Sequence, residues 1–304
     1  MKKMTITPEK GGFKGAYFPA EGAESGIISL FCDAPDDLTG RASAKYFHGL
    51  GLNVLCVGPE TKDCMYRGVP LETFGRAVRY LRSQGNRRVG IAGISRTAMA
   101  ALTAASYYPE ITLTVALAPC DLVMEGVIQD GKDGARERPA RESAFTWGGE
   151  QVPYLRYAFD HPAYWQNALR YAQKTGNRVA SRSIFDSSEK RYPIEGPEFI
   201  KVEDIKGRIF LAGAQDDVIW DTCRYIDRMK TRLEGSGSDA VLECAVYEHG
   251  TNFLYPQRMM DYMFPKAGEL MGRFCFSAAK EYPQECLAAR KDIDRRLGAV
   301  IAAW

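Results

Sequence analysis

The chain lacks the features that mark membrane-spanning and nucleic-acid-binding proteins. No apolar run approaches the ~20 residues that span a bilayer, and no apolar segment follows the basic start MKKM as it would in a signal peptide. The 40 basic and 38 acidic residues leave a net charge of only +2, whereas nucleic-acid-binding domains are usually strongly basic. We therefore expect neither a membrane nor a nucleic acid as a partner.

Motifs for common cofactors and metals are also missing. Neither G-x-x-x-x-G-K-[ST] nor G-x-G-x-x-G occurs, so nothing supports a nucleotide or dinucleotide site. The cysteines form no C-x-x-C pair, and several lie inside apolar runs, which is typical of buried free thiols in a reducing cytoplasm rather than of zinc ligands. They are Cys32, Cys56, Cys64, Cys120, Cys223, Cys244, Cys275 and Cys286. The sequence predicts a cytoplasmic protein without a cofactor or metal.

Short apolar runs alternate with amphipathic stretches along most of the 304 residues. Near-continuous apolar runs of this length are typical of strands buried on both faces of a parallel sheet. The predicted strands are 26–32, 52–58, 88–93, 113–119, 208–214 and 240–247. The alternation therefore predicts an α/β fold with a mostly parallel, doubly wound sheet.

This alternation is interrupted between residues 121 and 204, a segment rich in arginine, glycine, proline and aromatic residues. It has helical pieces but no clear strand pattern. Long insertions in compact domains are usually functional, and ligands of α/β sheets bind at the carboxyl edge. We predict a core from residues 1–120 and 205–304, with 121–204 as an inserted helical cap over that edge.

Aromatic side chains of the predicted cap are candidates for substrate contact, because an insertion over the sheet edge buries them most easily in the pocket. The candidates are Tyr154 and Trp165 above all, with Phe145 and Tyr157 beside them.

The segment Gly93-Ile94-Ser95-Arg96-Thr97 follows a predicted strand and opens a predicted helix. In that context it is typical of the nucleophile elbow of the α/β-hydrolase fold, where a sharp turn projects the serine hydroxyl. We predict Ser95 as the nucleophile and the backbone N–H of Arg96 as an oxyanion donor. Thr97 stands where the usual motif has a second glycine. The alternative role for Ser95 is an ordinary helix N-cap.

A serine nucleophile needs a base, and the base needs a carboxylate that orients it. In this fold the acid follows the serine along the chain and the histidine comes last. Asp216 and Asp217 lie directly after strand 208–214, where the acid belongs, although an aspartate there can also cap the next helix. His249 follows strand 240–247, at the edge where the base belongs, whereas His48 and His161 are interpreted as structural.

Four motifs resemble the bacterial branch of the acyl-CoA thioester hydrolase / bile acid-CoA:amino acid N-acyltransferase family, over about residues 25 to 265. They are VPLETFGRAVRYL, FTWGGEQVPYLRYAF, AQDDVIW and YEHGTNFLYP. The resemblance implies that the second aspartate of D-D-x-x-W, here Asp217, is the acid. It also implies that the family's catalytic histidine falls on Asn252.

The sequence thus departs from the family at the base, because an amide cannot take the serine proton. Three explanations stay open. His249 acts as the base from three residues earlier, a distance over which the chain can shift by up to ~10 Å; or the site is inactive or impaired; or Asn252 is an introduced substitution.

The loop after strand 26–32 also differs from the family, since it contains acidic residues where the family tends to have glycine. We predict the backbone N–H of Asp33 as the second oxyanion donor, with that of Ala34 as the alternative. The resemblance further suggests that basic cap residues bind coenzyme A phosphates, although they equally suit a solvated loop. These residues are Lys132, Arg136, Arg138, Arg141, Lys174, Arg178 and Arg182.

The expected function is serine-dependent acyl transfer. Ser95 would attack a small-molecule acyl ester or thioester, and the family resemblance supplies the thioester. The alternatives are a carboxylesterase or peptidase of the same fold, and a non-catalytic protein that binds a ligand in the same pocket. The sequence carries no indication of the oligomeric state.

Overall fold

A computed structural model describes residues 1–32, 34–59, 66–129, 138–159, 161–174, 176–265 and 267–304, apart from the side chain of Pro162. Four residues of the sequence analysis lie outside this described part: the predicted oxyanion donor Asp33, the cysteine Cys64, and the cap residues Lys132 and Arg136. Among the described residues, no helix is both long and apolar enough to cross a membrane.

The structure contains the six predicted strands of the core, in the predicted order, and several short strands that were not predicted. They are β1 (Met4–Ile6), β2 (Gly15–Phe18), β3 (Ser25–Ser29), β4 (Asn53–Val57), β5 (Val69–Pro70), β6 (Arg88–Ile94), β7 (Ile111–Leu117), β8 (Glu125–Ile128), β9 (Arg138–Ser143), β10 (Phe145–Trp147), β11 (Glu150–Gln151), β12 (Arg208–Ala214) and β13 (Val241–Tyr247).

The central sheet has eight strands in the order β1-β2-β4-β3-β6-β7-β12-β13. The six strands from β4 to β13 in that order pair in parallel, and each matches one predicted apolar run. At one edge, β2 pairs antiparallel with β4, and β1 pairs antiparallel with β2. The predicted mostly parallel sheet is confirmed. β1 and β2 were not predicted, because strands of three and four residues are too short to show a pattern.

Helices cover both faces of the sheet. They are α1 (Pro8–Gly11), α2 (Leu38–His48), α3 (Glu72–Ser83), α4 (Arg96–Tyr107), α5 (Pro162–Gln173), α6 (Arg182–Arg191), α7 (Thr222–Ser236), α8 (Gln257–Met263), α9 (Gly268–Cys275), α10 (Ser277–Glu281) and α11 (Pro283–Ala303), with a 3₁₀ turn at Val202–Asp204.

Two buried apolar clusters lie on opposite faces of the sheet, because alternate side chains of a strand point to opposite faces. In β6, Ile91 packs with α3, α4 and α7, whereas Ala92 packs with α2, α8 and α11. Helix α4 follows the elbow and is built from small residues that are almost all buried. Its small side chains allow it to pack closely beneath the carboxyl edge, where the loops after β3, β6, β12 and β13 meet.

The segment 121–204, which was predicted as an inserted cap and is called the insertion below, contains both helices and strands. It contains α5 and α6 as predicted helical pieces, but also the antiparallel pair β8–β9 and the pair β10–β11, in a segment where no strand pattern was expected. β9 has the sequence RPARES, with mostly polar side chains, and β11 has two residues, so neither shows an apolar period. Trp165 and Phe185 of the insertion belong to the same buried cluster as Ile91 of the core. The insertion therefore packs directly on the sheet's helical layer.

Candidate active site

Ser95 stands alone between the end of β6 and the start of α4. Its backbone has φ 54° and ψ −124°, a region that non-glycine residues avoid and that clusters at functional sites. The turn is anchored by the Ser95 N–H, which donates to the Leu117 carbonyl at 2.7 Å. A Cβ on Gly93 would lie 2.2 Å from the Thr97 carbonyl oxygen, so this position requires glycine. Sequence and geometry agree on a tight strand–turn–helix elbow.

Thr97 braces this elbow from within. Its hydroxyl accepts a hydrogen bond from the Ile94 N–H at 2.8 Å and donates to the Ile94 carbonyl at 2.9 Å. The side chain that replaces the second glycine thus ties the first turn of α4 back to the end of β6. The Arg96 N–H lies at the helix start, and its role as an oxyanion donor remains a prediction.

Asp217 is fully buried after β12. One carboxylate oxygen, Oδ1, accepts from the Ile219 N–H at 2.8 Å, and Oδ2 accepts from the Thr222 hydroxyl and from Asn252 Nδ2 at 2.9 Å. Burial raises the pKa of Asp217 to about 6, against the opposing effect of these hydrogen bonds. Asn252 therefore lies beside Asp217, the predicted acid, at the position where the family resemblance places the histidine.

Asp216 holds the backbone of the loop after β13. Its Oδ1 accepts from the Gly250 N–H at 3.1 Å and from the Thr251 N–H at 2.7 Å, and its Oδ2 lies 3.4 Å from His249 Nδ1. Thr251 has a left-handed backbone with φ 58°. Both aspartates therefore reach this loop, Asp216 through backbone N–H groups and Asp217 through the side chain of Asn252. Backbone N–H donors carry no signal in a sequence, so these contacts were not foreseeable.

His249 is engaged outside the pocket. Its ring stacks on Tyr282 with centroids 3.6 Å apart and an interplanar angle of 5°, and its Nε2 lies 3.8 Å from Glu248. Among the described residues that line the pocket with Ser95, Asn252 is present and His249 is not.

The pocket in front of Ser95 has a volume of about 570 Å³ and lies between the core loops and the insertion. Trp165 lines it as expected of a substrate-contacting residue, together with Tyr157, whereas Tyr154 packs against the apolar core instead. The other lining residues were not predicted to line a pocket. They are Gln129, Gln166, Leu169, Arg170, Gln173, Val179, Ala180, Ser181, Phe185, Ile219, Trp220, Phe253, Cys275 and Phe276. Arg96 and Arg178, which the sequence predicted in other roles, also line the pocket.

Some of these residues could have been predicted to line the pocket from their spacing in the sequence. Gln166, Leu169, Arg170 and Gln173 follow the three- and four-residue spacing that puts side chains on one helix face, beside Trp165. The residues from α6 to α10 come together only through tertiary packing, which no local pattern shows. Among the described residues, no group of His, Cys, Asp and Glu side chains is arranged to hold a metal ion.

Comparison with known proteins agrees with this architecture. Residues 69–259, more than half of the chain and including all four predicted catalytic positions, match the family model described as BAAT / acyl-CoA thioester hydrolase C terminal. No curated protein sequence matches the chain.

Two solved structures have a similar fold. One is a Staphylococcus aureus protein to which an esterase activity has been attributed (TM-score 0.51, 11% identity, covering 90% of this chain and 82% of that chain). The other is a Klebsiella pneumoniae protein to which a dienelactone hydrolase activity has been attributed (TM-score 0.51, 11% identity, covering 100% and 98%). The predicted α/β-hydrolase fold is confirmed.

Proposed function

Because this chain belongs to the BAAT / acyl-CoA thioester hydrolase C-terminal family, we propose that it binds a small acyl thioester or ester and that Ser95 accepts the acyl group. The chain is an α/β hydrolase by family and fold; the serine nucleophile, the thioester and the acyl-transfer chemistry are the parts that we propose.

The observation that carries the proposal is the strained backbone of Ser95. A φ of 54° at a serine costs on the order of 1–3 kcal/mol and persists where the surroundings enforce it. A plain N-cap serine would have an extended backbone and a side-chain bond to the helix start, whereas Ser95 makes no such cap bond. Its side chain instead lines the pocket.

The proposed reaction has two steps. Ser95 Oγ attacks the acyl carbonyl, the Oγ–C bond forms, the C–S or C–O bond breaks, and the serine proton leaves with the departing thiol or alcohol. Water then attacks the acyl-serine: its oxygen bonds to the acyl carbon, the Oγ–C bond breaks, one proton of the water passes to Ser95 Oγ, and a carboxylic acid is released. The Arg96 N–H is the proposed donor to the oxyanion of both steps.

The asparagine at position 252 is the reason why we propose slow turnover. Its amide can hydrogen-bond but cannot take a proton from the attacking group and pass it to the leaving group within either step. His249 has its partners in Asp216 and Tyr282, so we assign it no part in proton transfer. We therefore propose slow turnover, with the slower step at deacylation, where water must be deprotonated without a base.

A second candidate is a non-catalytic protein that binds the same kind of ligand. It is favoured by the hydrogen bond between Asn252 Nδ2 and Asp217, which completes the acid's coordination without a base. A carboxylesterase or peptidase would use the same residues and differ only in the leaving group.

Labelling with a fluorophosphonate, followed by mass spectrometry, tests the proposal. We expect one adduct on Ser95, none in Ser95→Ala, and unchanged labelling in Ser181→Ala, a pocket serine whose hydroxyl donates to the Ile219 carbonyl. We expect the adduct to form faster in Asn252→His. If neither the wild-type protein nor Asn252→His is labelled at Ser95, the nucleophile assignment fails and the binding-protein candidate replaces it.

A further inference from the structure

The pocket in front of Ser95 is positively charged. Its charged lining residues are Arg96, Arg170 and Arg178, and no aspartate, glutamate or lysine lines it among the described residues. A pocket with low-dielectric aromatic walls concentrates the field of such charges. An anionic group is therefore favoured inside it over a neutral or cationic one.

The face of α5 that borders the pocket adds hydrogen-bond donors of the same kind. Gln166, Arg170 and Gln173 occur at the spacing of one helix face, and all three line the pocket. Amide and guanidinium groups can donate to an anion, and none of these side chains carries a negative charge.

Three arginines at the contact between the insertion and α7 are paired with carboxylates. Arg182 contacts Asp221, Arg228 contacts the buried Asp121 at 2.5 Å, and Arg232 contacts Glu203 at 2.7 Å. Such pairs hold the insertion against α7 and leave little charge for a ligand.

Arg170 and Arg178 differ from these, since neither forms an ion pair with any residue that the structure describes. The Arg178 guanidinium lies 3.7 Å from the centroid of the Phe274 ring, which fixes the side chain by a cation–π contact and leaves its N–H edge available. A guanidinium matches a carboxylate with two parallel hydrogen bonds.

The size of the pocket limits where the anion sits on the ligand. A volume of about 570 Å³ lies within the usual range of ligand pockets and corresponds to a cavity roughly 10 Å across. A group bound by Arg170 or Arg178 therefore lies within about one pocket length of the carbonyl at Ser95. That distance fits an anion on the acyl group and is short for one at the far end of a long thiol carrier.

We propose that the pocket selects acyl groups that carry a second, free carboxylate at the end remote from the reacting carbonyl, and that Arg170 and Arg178 bind this carboxylate. The inference rests on the proposed function, because it takes the acyl carbonyl to lie at Ser95.

The test uses two thioesters of one neutral thiol, N-acetylcysteamine, with six-carbon acyl chains that end in a carboxylate (adipoyl) or a methyl group (hexanoyl). Binding to Ser95→Ala protein is measured by calorimetry, because turnover is blocked and the dissociation constants do not depend on whether Ser95 is reactive. We expect the adipoyl thioester to bind at least tenfold more tightly than the hexanoyl thioester.

Variants assign the preference to the two arginines. In the Ser95→Ala background, Arg170→Gln and Arg178→Gln should each reduce the preference severalfold and together bring it near one. Lys174→Gln is the matched control, because Lys174 lies just after α5 but lines a different groove, and it should leave the preference unchanged.

Three results would overturn the inference: equal affinity for both thioesters, a loss of preference in Lys174→Gln as large as in the arginine variants, or tight binding of free coenzyme A that depends on both arginines while adipoyl shows no preference. The last result would mean that Arg170 and Arg178 bind an anionic group of the leaving thiol rather than a carboxylate of the acyl group. Failure of fluorophosphonate labelling with the carboxylate preference intact would instead remove only the nucleophile role of Ser95.

Discussion

The loop after β6 and the loop after β13 are built alike and differ in chemistry. Each contains a non-glycine residue with a left-handed φ, 54° at Ser95 and 58° at Thr251, and each is braced by a side chain bonded to backbone, Thr97 in the first and Asp216 in the second. The first loop presents a hydroxyl to the pocket, whereas the second presents the amide of Asn252. In the proposed catalytic site both loops are held in place, whereas the side chain at position 252 lacks the basicity that the proposed reaction requires.

The largest test of this difference restores the base. Asn252→His places an imidazole beside Asp217, whose carboxylate already accepts from the side chain at position 252. Removing the base from such a triad costs about 10⁴-fold or more in turnover, so we expect hydrolysis of a short acyl thioester to rise by about the same factor. Steady-state release of the thiol measures it.

His249→Ala is the control for this variant and should change the rate little in either background. Rapid turnover of the wild-type protein that His249→Ala abolishes would mean that His249 is the base and that our alignment of this loop is shifted by three residues.

The contrast between the loops also explains what the sequence could predict. The elbow is local, because Gly93 to Thr97 are contiguous. Their position between an apolar strand and a helix of small residues was enough to predict Ser95 as the nucleophile. The second loop depends on Asp216 bonding to backbone N–H groups some 34 residues away, which side-chain identities do not reveal. The departure at Asn252 was visible only through the family resemblance, because no spacing rule distinguishes an asparagine at that position from a surface one.

The same limit applies to the pocket and the insertion. Trp165 was predictable as a buried aromatic of the insertion, whereas Tyr154, three residues before Tyr157 in the same motif, packs against the core. Short strands such as β10 are set by their partners rather than by their own residues: Phe145 and Thr146 pair with Val69 and Pro70. Tertiary pairing of this kind leaves no period in the sequence.

The next prediction concerns the pH dependence of stability that results from burying Asp217. The pKa of Asp217 is about 6 in the folded protein because the group is buried, against an ordinary value of 3.8. The folded chain therefore holds this proton more tightly than the unfolded chain. The protonated carboxyl of Asp217 therefore stabilises the folded protein. This stabilisation is fully present below about pH 4 and is lost as the pH rises through about 6, which lowers the free energy of unfolding by about 3 kcal/mol at most.

Asp217→Asn removes this pH dependence, because an amide does not titrate. Urea unfolding of both proteins between pH 4 and pH 8 should show the wild-type protein losing about 2–3 kcal/mol relative to the variant over that range. A difference that stays constant with pH would contradict the raised pKa of Asp217.

Asp216→Ala tests whether the two loops are held independently. The Gly250 and Thr251 N–H groups lose their shared acceptor, which should lower the free energy of unfolding by about 1–3 kcal/mol. Fluorophosphonate labelling of Ser95 should keep its wild-type rate, because the elbow has its own brace. Glu248→Ala is the control, since its side chain is 80% exposed and its removal should cost little. Equal losses in the two variants would show that Asp216 does not brace the loop.

The smallest effect is expected at Thr97, and it tests the brace of the first loop. Thr97→Val keeps the shape of the side chain but removes the hydroxyl that bonds both the N–H and the carbonyl of Ile94. Each such bond contributes about 0.5–1.5 kcal/mol, and the lost hydroxyl should lower the free energy of unfolding by about 1–2 kcal/mol. Thr97→Ser keeps the hydroxyl and should lose less than Thr97→Val in the same urea titration. If the hydroxyl merely fills space left by the missing glycine, the two variants will unfold at the same urea concentration. If the hydroxyl holds Ser95 in its strained turn, Thr97→Val will also slow labelling of Ser95, because Ser95 then spends less time facing the pocket. Thr97→Ser will leave the labelling rate unchanged.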